Sequence, residues 1–188
     1  MTLRNSLLSA AAAFAIGVSA LAAPVLAQAT VMVGGAEMFA NKNIVENAVN
    51  SKDHTTLVAA VKAGGLVDTL SGAGPFTVLA PTNAAFAKLP AGTVDNLLKP
   101  ESKDMLVKVL TYHVIPTEAM SDAINKMVMD DGGKHNVKTV SGDTLTFMSK
   151  DGKITVFDES GQAATVTIAD VKQSNGVIHV IDTVLLPK

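Results

Sequence analysis

Eleven residues constrain this chain more than any others: Phe76-Thr77-Val78-Leu79-Ala80-Pro81-Thr82-Asn83-Ala84-Ala85-Phe86. Gly74-Pro75 opens a short apolar run, Phe76 to Ala80, of the kind that forms a strand covered on both faces. Pro81 has no backbone N–H and ends it, since proline cannot continue a central strand. Thr82 then stands at a helix N-cap, where its hydroxyl can accept from the free N–H of Ala84 or Ala85. Pro81 and Phe86 flank the cap in the spacing of a hydrophobic staple. Position 85 is Ala, not Glu or Gln, so the cap lacks its reciprocal half.

Two further segments follow in order: Leu110-Thr111-Tyr112-His113-Val114-Ile115-Pro116, then Ser174-Asn175-Gly176-Val177-Ile178-His179-Val180-Ile181-Asp182. With the first they resemble the signatures of the fasciclin (FAS1) domain family, and most closely its small, secreted, single-domain bacterial members. The resemblance implies an α+β fold, a wedge of two twisted β-sheets with helices packed along one side. It marks Thr82, Asn83, Asn175, His179 and Asp182 as structural motif residues.

The first 29 residues read as a signal peptide. Arg4 supplies the positive n-region, Leu7 to Ala23 is apolar, Pro24 breaks the run, and Ala27-Gln28-Ala29 is a cleavage pattern. The apolar stretch is Ala-rich and short for a membrane span. Cleavage after Ala29 leaves 159 residues, enough for one domain with its own core. The chain's one Arg departs with the leader, leaving 14 Lys against 17 acidic residues, a net charge of −3. No basic run or Arg fork is left to engage nucleic acid. Absence of Cys rules out thiol catalysis, thiolate metal sites and a lipid-anchored N-terminal Cys. The destination this implies is the periplasm, the cell surface or the extracellular medium, with no membrane span after cleavage.

Residues 30–40 contain Gly34-Gly35 and no clear period, and read as a flexible N-terminal arm. The FAS1-like domain is placed at 41–188. Helical spacing predicts a short helix over 43–50, a second capped by Asp53 and ending at Gly64-Gly65, and one more turn over 66–70. After the Thr82 helix come a short helix capped by Thr93, one opened by Pro100 with Met105, Leu106, Val109 and Leu110 on its apolar face, and a weaker one over 117–127. Tyr112 to Ile115 reads as extended. From Asp131-Gly132-Gly133 the period changes to two, with strands over 137–140, 144–148, 164–168 and 177–186. Asp151-Gly152 is a two-residue hairpin turn and Asn175-Gly176 a second tight turn. Helices early and hairpins late make a segregated α+β pattern.

Residues for chemistry are sparse. None of His54, His113, His135 and His179 has a second ligand at metal-binding spacing, so no metal is expected. His54 and His135 stand near element ends and read as solvated. There is no Gly-x-Ser-x-Gly elbow, and Gly72-x-Gly74 leads into a strand, not a helix N-terminus. Asp130-Asp131 and Asp158-Glu159 read as solubilising pairs. No catalytic residue and no cofactor are therefore expected. Two accounts remain for Tyr112-His113. One is a buried or half-buried imidazole bonded to backbone or side chains where helix meets strand, with Thr82, Asn83 or the Asn175 turn among the partners within reach. The other comes from the resemblance, in which this pair contacts a partner. On β alternation His179 lies with Val177 and Ile181, and Asp182 with Ile178 and Val180. Both faces are apolar, so each polar group needs an internal partner.

Two functions fit. The first, implied by the resemblance, is a non-catalytic adhesion or protein-interaction module whose partner is a cell-surface or host protein or matrix component. The second is a carrier for an apolar small molecule, a pigment or lipid, with Met120, Met127, Met129 and Met148 lining an adaptable pocket.

Overall fold

The computed structural model describes residues 30–188; the expected signal peptide, 1–29, lies outside them. The described chain opens with an antiparallel hairpin of β1 (Val31–Val33) and β2 (Ala36–Met38) around Gly34-Gly35, both at positive φ. This corrects the expectation of a flexible arm over 30–40. Val33 and Met38 are buried in the core, and the turn is fastened by the Lys52 N–H donating to the Gly34 carbonyl at 3.2 Å.

Seven α-helices follow in the first two thirds: α1 (Ile44–Ala48), α2 (Thr55–Gly64), α3 (Val67–Ser71), α4 (Asn83–Ala87), α5 (Thr93–Leu97), α6 (Lys103–Tyr112) and α7 (Ser121–Asp130). Between them run β3 (Phe76–Pro81) and β4 (Val114–Ile115); beyond them come β5 (His135–Lys138), β6 (Thr144–Lys150), β7 (Lys153–Phe157), β8 (Ala163–Gln173) and β9 (Gly176–Ile181). Local chemistry accounts for most boundaries. α1 starts with a capping box: the Asn43 side chain accepts from the Glu46 N–H, and Glu46 accepts from the Asn43 N–H. α2 ends on Gly65 in the left-handed conformation. Asp151-Gly152, both at positive φ, joins β6 to β7 as a two-residue turn.

The seven strands β3 to β9 form one sheet in the order β4-β3-β9-β8-β7-β6-β5. β3 and β9, the strands of the first and third signatures, lie side by side and parallel, second and third from the β4 edge, Leu79 opposite His179. The other five pairings are antiparallel. β8 is the long member. Its first residues pair with β7 and the rest with β9, through register shifts around Ile168. The sheet therefore folds along β8 into the two leaves of the wedge.

Side-chain alternation in β3 feeds two cores. Val78 and Ala80 join Ile178, Val180 and the apolar faces of α1, α2 and α6. Leu79 points the other way, with Ile181, Leu185, Tyr112, Ile124, Leu145, Phe147 and Val156. A strand covered on both faces must be apolar throughout, which is why Phe76 to Ala80 shows no polar alternation apart from Thr77. Thr77 is buried with its hydroxyl satisfied: it donates to the Thr117 carbonyl at 2.6 Å and accepts from the Ala119 N–H at 2.8 Å.

Several local expectations need correcting. Met105 is 63 % exposed, and Leu106, Val109, Leu110 and Tyr112 are the buried residues of α6. α7 begins at Ser121, later than the expected 117, because Thr117 to Ala119 is held in the loop by Thr77. β8 runs on to Gln173 and β9 stops at Ile181. Neither Asp53 nor Thr93 caps a helix.

Candidate functional site

The three signature segments meet, and they do so through hydrogen bonds between residues far apart in sequence. Thr82 is the N-cap of α4 as read, its hydroxyl accepting from the Ala85 N–H at 3.2 Å. Asn83, next along, serves a different helix. Its Oδ1 accepts from the Thr56 N–H at 3.0 Å and its Nδ2 donates to the Lys52 carbonyl at 2.8 Å. α2 has no side-chain cap of its own, so Asn83 supplies one from 27 residues away.

Asn175 does the same at the other end of the sheet. Its Oδ1 accepts from the Ile44 N–H at 3.0 Å, in the first turn of α1, and its Nδ2 donates to the carbonyls of Leu70 at 2.7 Å and Gly72 at 3.0 Å, at the end of α3. Its own carbonyl receives the Phe76 N–H at 3.1 Å. The backbones there are so close that a Cβ on Gly74 would fall 2.0 Å from the Asn175 carbonyl oxygen, and one on Gly176 2.0 Å from that of Phe76. Only glycine fits both places.

Tyr112 and His113 are 0 % and 3 % exposed. Tyr112 is the last residue of α6 rather than part of an extended segment, and His113 is its C-cap. The Tyr112 hydroxyl donates to the Thr144 carbonyl at 3.1 Å and accepts from the Glu159 N–H at 3.2 Å; burial pushes its pKa up to about 12. His113 folds back on its own helix. Nδ1–H donates at 2.8 Å to the Val109 carbonyl, a helix-terminal acceptor, and Nε2 accepts from the Leu185 N–H at 3.1 Å. Both ring nitrogens are used in the neutral form, and burial lowers the imidazole pKa to about 4. Its partners are backbone groups, as one form of the buried reading has it, and not Thr82, Asn83 or the Asn175 turn. Of the two accounts of Tyr112-His113, the enclosed rings agree with the buried one.

His179 follows the same logic from the centre of β9. Nε2–H donates to the Ala119 carbonyl at 2.8 Å and Nδ1 accepts from the Asp170 N–H at 3.2 Å, with burial lowering its pKa. Asp170, at positive φ, in turn takes the Ser121 N–H at 2.7 Å and the Ser121 hydroxyl, and so caps α7 from another strand. Asp182 lies past the end of β9 and its side chain is 40 % exposed, not enclosed between apolar faces. Burial is the largest single influence and raises its pKa, but the Thr165 N–H, the Thr183 hydroxyl and the Lys88 ammonium at 3.6 Å together outweigh it and hold it below the usual value. His54, expected in solvent, is buried; its Nδ1 bonds the Ser51 hydroxyl at 2.8 Å, while its Nε2 has no partner. His135 is half-buried beside Asp131 at 2.6 Å.

The signature polar groups thus spend their donors and acceptors on the fold. Among the described residues no group of three or more His, Asp or Glu is placed to hold a metal ion. The main apolar cavity lies between α1, α2, α6 and β3 and has a volume of about 40 Å³. None of Met120, Met127, Met129 and Met148 lines it, and Met129 is 73 % exposed, which corrects the expected methionine pocket.

This is an α+β wedge whose signature residues are long-range helix caps and strand ties. The chain belongs to the fasciclin domain family: the family model for the Fasciclin domain matches residues 52–187. It is 54 % identical over 144 residues to protein sll1483 of Synechocystis sp., covering 77 % of this chain and 73 % of that one. It is 41 % identical over 122 residues to the cell surface glycolipoprotein MPB83 of Mycobacterium bovis, covering 65 % of this chain and 48 % of that protein. Among solved structures it resembles a FAS1 domain pair from the insect cell adhesion molecule fasciclin I, with a TM-score of 0.68, 18 % identity, and coverage of 77 % of this chain and 51 % of that one.

Proposed function

We propose that this protein is an exported, non-catalytic adhesion or protein-interaction module of the fasciclin type. The observation that carries the reading is the family match across residues 52–187, joined to the way the signature residues are used. Thr82, Asn83, His113, Asn175 and His179 all bond within the protein, so they hold a rigid body whose outer surface is left for contact. Export is supported by the signal-like leader and by a relative whose name places it at the cell surface. Adhesion is supported by the fold shared with a domain pair of a cell adhesion molecule. The partner class is a surface or matrix component of the same or a neighbouring cell.

Attachment of a deletion strain to a surface, measured against its parent and a complemented strain, tests this. A clear reduction restored by complementation is expected; attachment equal in all three strains overturns it. For the carrier reading, the apolar cavity between α1, α2, α6 and β3 is small: about 40 Å³, against roughly 300–1,000 Å³ for a ligand pocket.

A further inference from the structure

We propose that the outer edge of β5 binds an extended, acidic segment of a partner polypeptide as an added strand. This deepens the reading as an interaction module and rests on it. β5 is the last strand of the seven-stranded sheet and pairs with β6 alone. The turn that leads out of it fixes the direction of its backbone groups. The Thr139 N–H donates to the Asp143 carbonyl at 3.0 Å, so Thr139 faces β6. Alternation makes Val137 and His135 the residues that bond β6, and turns the N–H and C=O of Asn136 and Lys138 outward. The far side of β6 gives the same phase. The two-residue Asp151-Gly152 turn makes Lys150 and Lys153 a hydrogen-bonded pair, so Met148 and Thr146 also bond β7. That leaves Phe147 and Leu145, opposite His135 and Val137, to bond β5.

Val140, two residues past Lys138, shows where an outward group goes when the fold supplies a partner. Its N–H donates to the Val114 carbonyl of β4 at 2.8 Å. No such partner reaches Asn136 or Lys138: the N–H and C=O of neither bond another group among the described residues. Both residues are exposed. The Asn136 side chain is held flat against β6, its Oδ1 accepting from the Thr146 hydroxyl at 2.8 Å. An unpaired strand edge is a template for another chain.

The side chains select the occupant. Lys134 and Lys138 flank Asn136 on the same face, both exposed, and neither is among the lysines that form an ion pair. Residues 134–138 contain no carboxylate. Asp131 is engaged by His135 at 2.6 Å, and Glu159, across β6, accepts the Thr144 N–H at 3.1 Å. A second copy of this chain fits poorly, since antiparallel pairing of two β5 edges brings Lys134 and Lys138 of one copy beside those of the other, and like charges across a strand pair repel. The leader does not fit either, because residues 1–29 carry no Asp or Glu. A foreign segment that alternates carboxylate and apolar side chains fits both faces. Its carboxylates lie beside Lys134 and Lys138, and its apolar groups beside Val137, which packs against the core.

Amide hydrogen exchange by NMR on the protein purified from its own host is the first test. The Asn136 and Lys138 amides should exchange about tenfold faster than that of Val137. Equal protection would mean that the edge is already covered, by a loop or by a second copy, and would overturn the proposal. The second test titrates an acetylated, amidated pentapeptide of alternating glutamate and valine. Shifts over residues 134–138 are expected, with the Asn136 and Lys138 amides gaining about tenfold protection in the complex. Lys138→Glu should weaken binding about tenfold and turn the preference to a peptide with lysine in place of glutamate. No response at millimolar peptide defeats the proposal. So do shifts without new amide protection, which mark a charge contact only, or the same response to free glutarate. Surface attachment tests the module itself, so an attachment defect in the deletion strain beside a silent β5 edge would sink only this inference.

Discussion

At the scale of single residues, His113 shows what a buried neutral imidazole can do. It joins the end of α6 to the segment after β9, 72 residues further on, through one donor and one acceptor. Replacing it with leucine keeps the volume and leaves the Val109 carbonyl and the Leu185 N–H unpaired. Each unsatisfied buried group costs about 1–3 kcal/mol, so His113→Leu should destabilise by about 3 kcal/mol, read from urea unfolding. Acid should weaken the fold in the same place. The imidazole titrates near 6.5 when unfolded and near 4 when folded, so between those values the unfolded chain binds more protons. This contribution is whole above pH 6.5 and falls as the pH drops towards 4, by about 3 kcal/mol in all. His54 and His179, both lowered by burial, act in the same direction. Urea midpoints measured between pH 7 and 4.5 should decline, and decline less steeply in His113→Leu. Burial of Tyr112 and His113 was one of two readings open to the sequence, because the same Tyr-His pair flanked by aliphatics suits either a wall or a surface. The carbonyl of Val109 and the amide of Leu185 belong to backbones that carry no residue-specific signal.

At the scale of elements, the recurring device is the cap supplied from elsewhere. α4 and α1 cap themselves, through Thr82 and through the Asn43–Glu46 box. Both motifs are visible in sequence, the second as Asn-x-x-Glu before an apolar pair. α2 and α7 take theirs from Asn83 and Asp170, across 27 and 49 residues. No local pattern announces such a cap, which is why Asp53 looked like the better candidate for α2. Asn83→Ala should therefore destabilise by about 1–2 kcal/mol, the ordinary loss for an N-cap, with the earliest loss of amide protection at Thr56 and its neighbours. Asn175→Ala removes one acceptor and one donor that together bridge α1 and the end of α3, and should cost about 2–3 kcal/mol by the same measurement. Protection lost in α2 but not in α1 for Asn83→Ala, and the reverse for Asn175→Ala, would separate local caps from a general loosening.

At the scale of the whole molecule, the N-terminal hairpin is part of the body. Val33 and Met38 sit in the same core as Val78, Val171 and Ile178. Met38→Ala should cost about 2–4 kcal/mol, as truncation in a packed core does; a flexible arm would return a change near zero. The separation of the two leaves along β8 is the other large-scale feature, and a groove of about 500 Å³ opens beside it between β7, β8 and α7. Tyr112, Leu79 and Ile181 bind the leaves from within, so the groove opens on a rigid frame.

Local chemistry determined a good deal of this protein. Proline at 81, threonine at 82, the Asp151-Gly152 turn and the 3.6- and 2-residue periods act over four residues or fewer, where chain geometry leaves few choices. Tertiary structure decided that β3 lies parallel to β9, that Asn83 serves α2, that the Tyr-His pair is enclosed, and that β8 deserts β7. Those outcomes depend on which distant backbone groups arrive within 3 Å of one another, and a hydrogen-bond donor does not encode the sequence number of its acceptor.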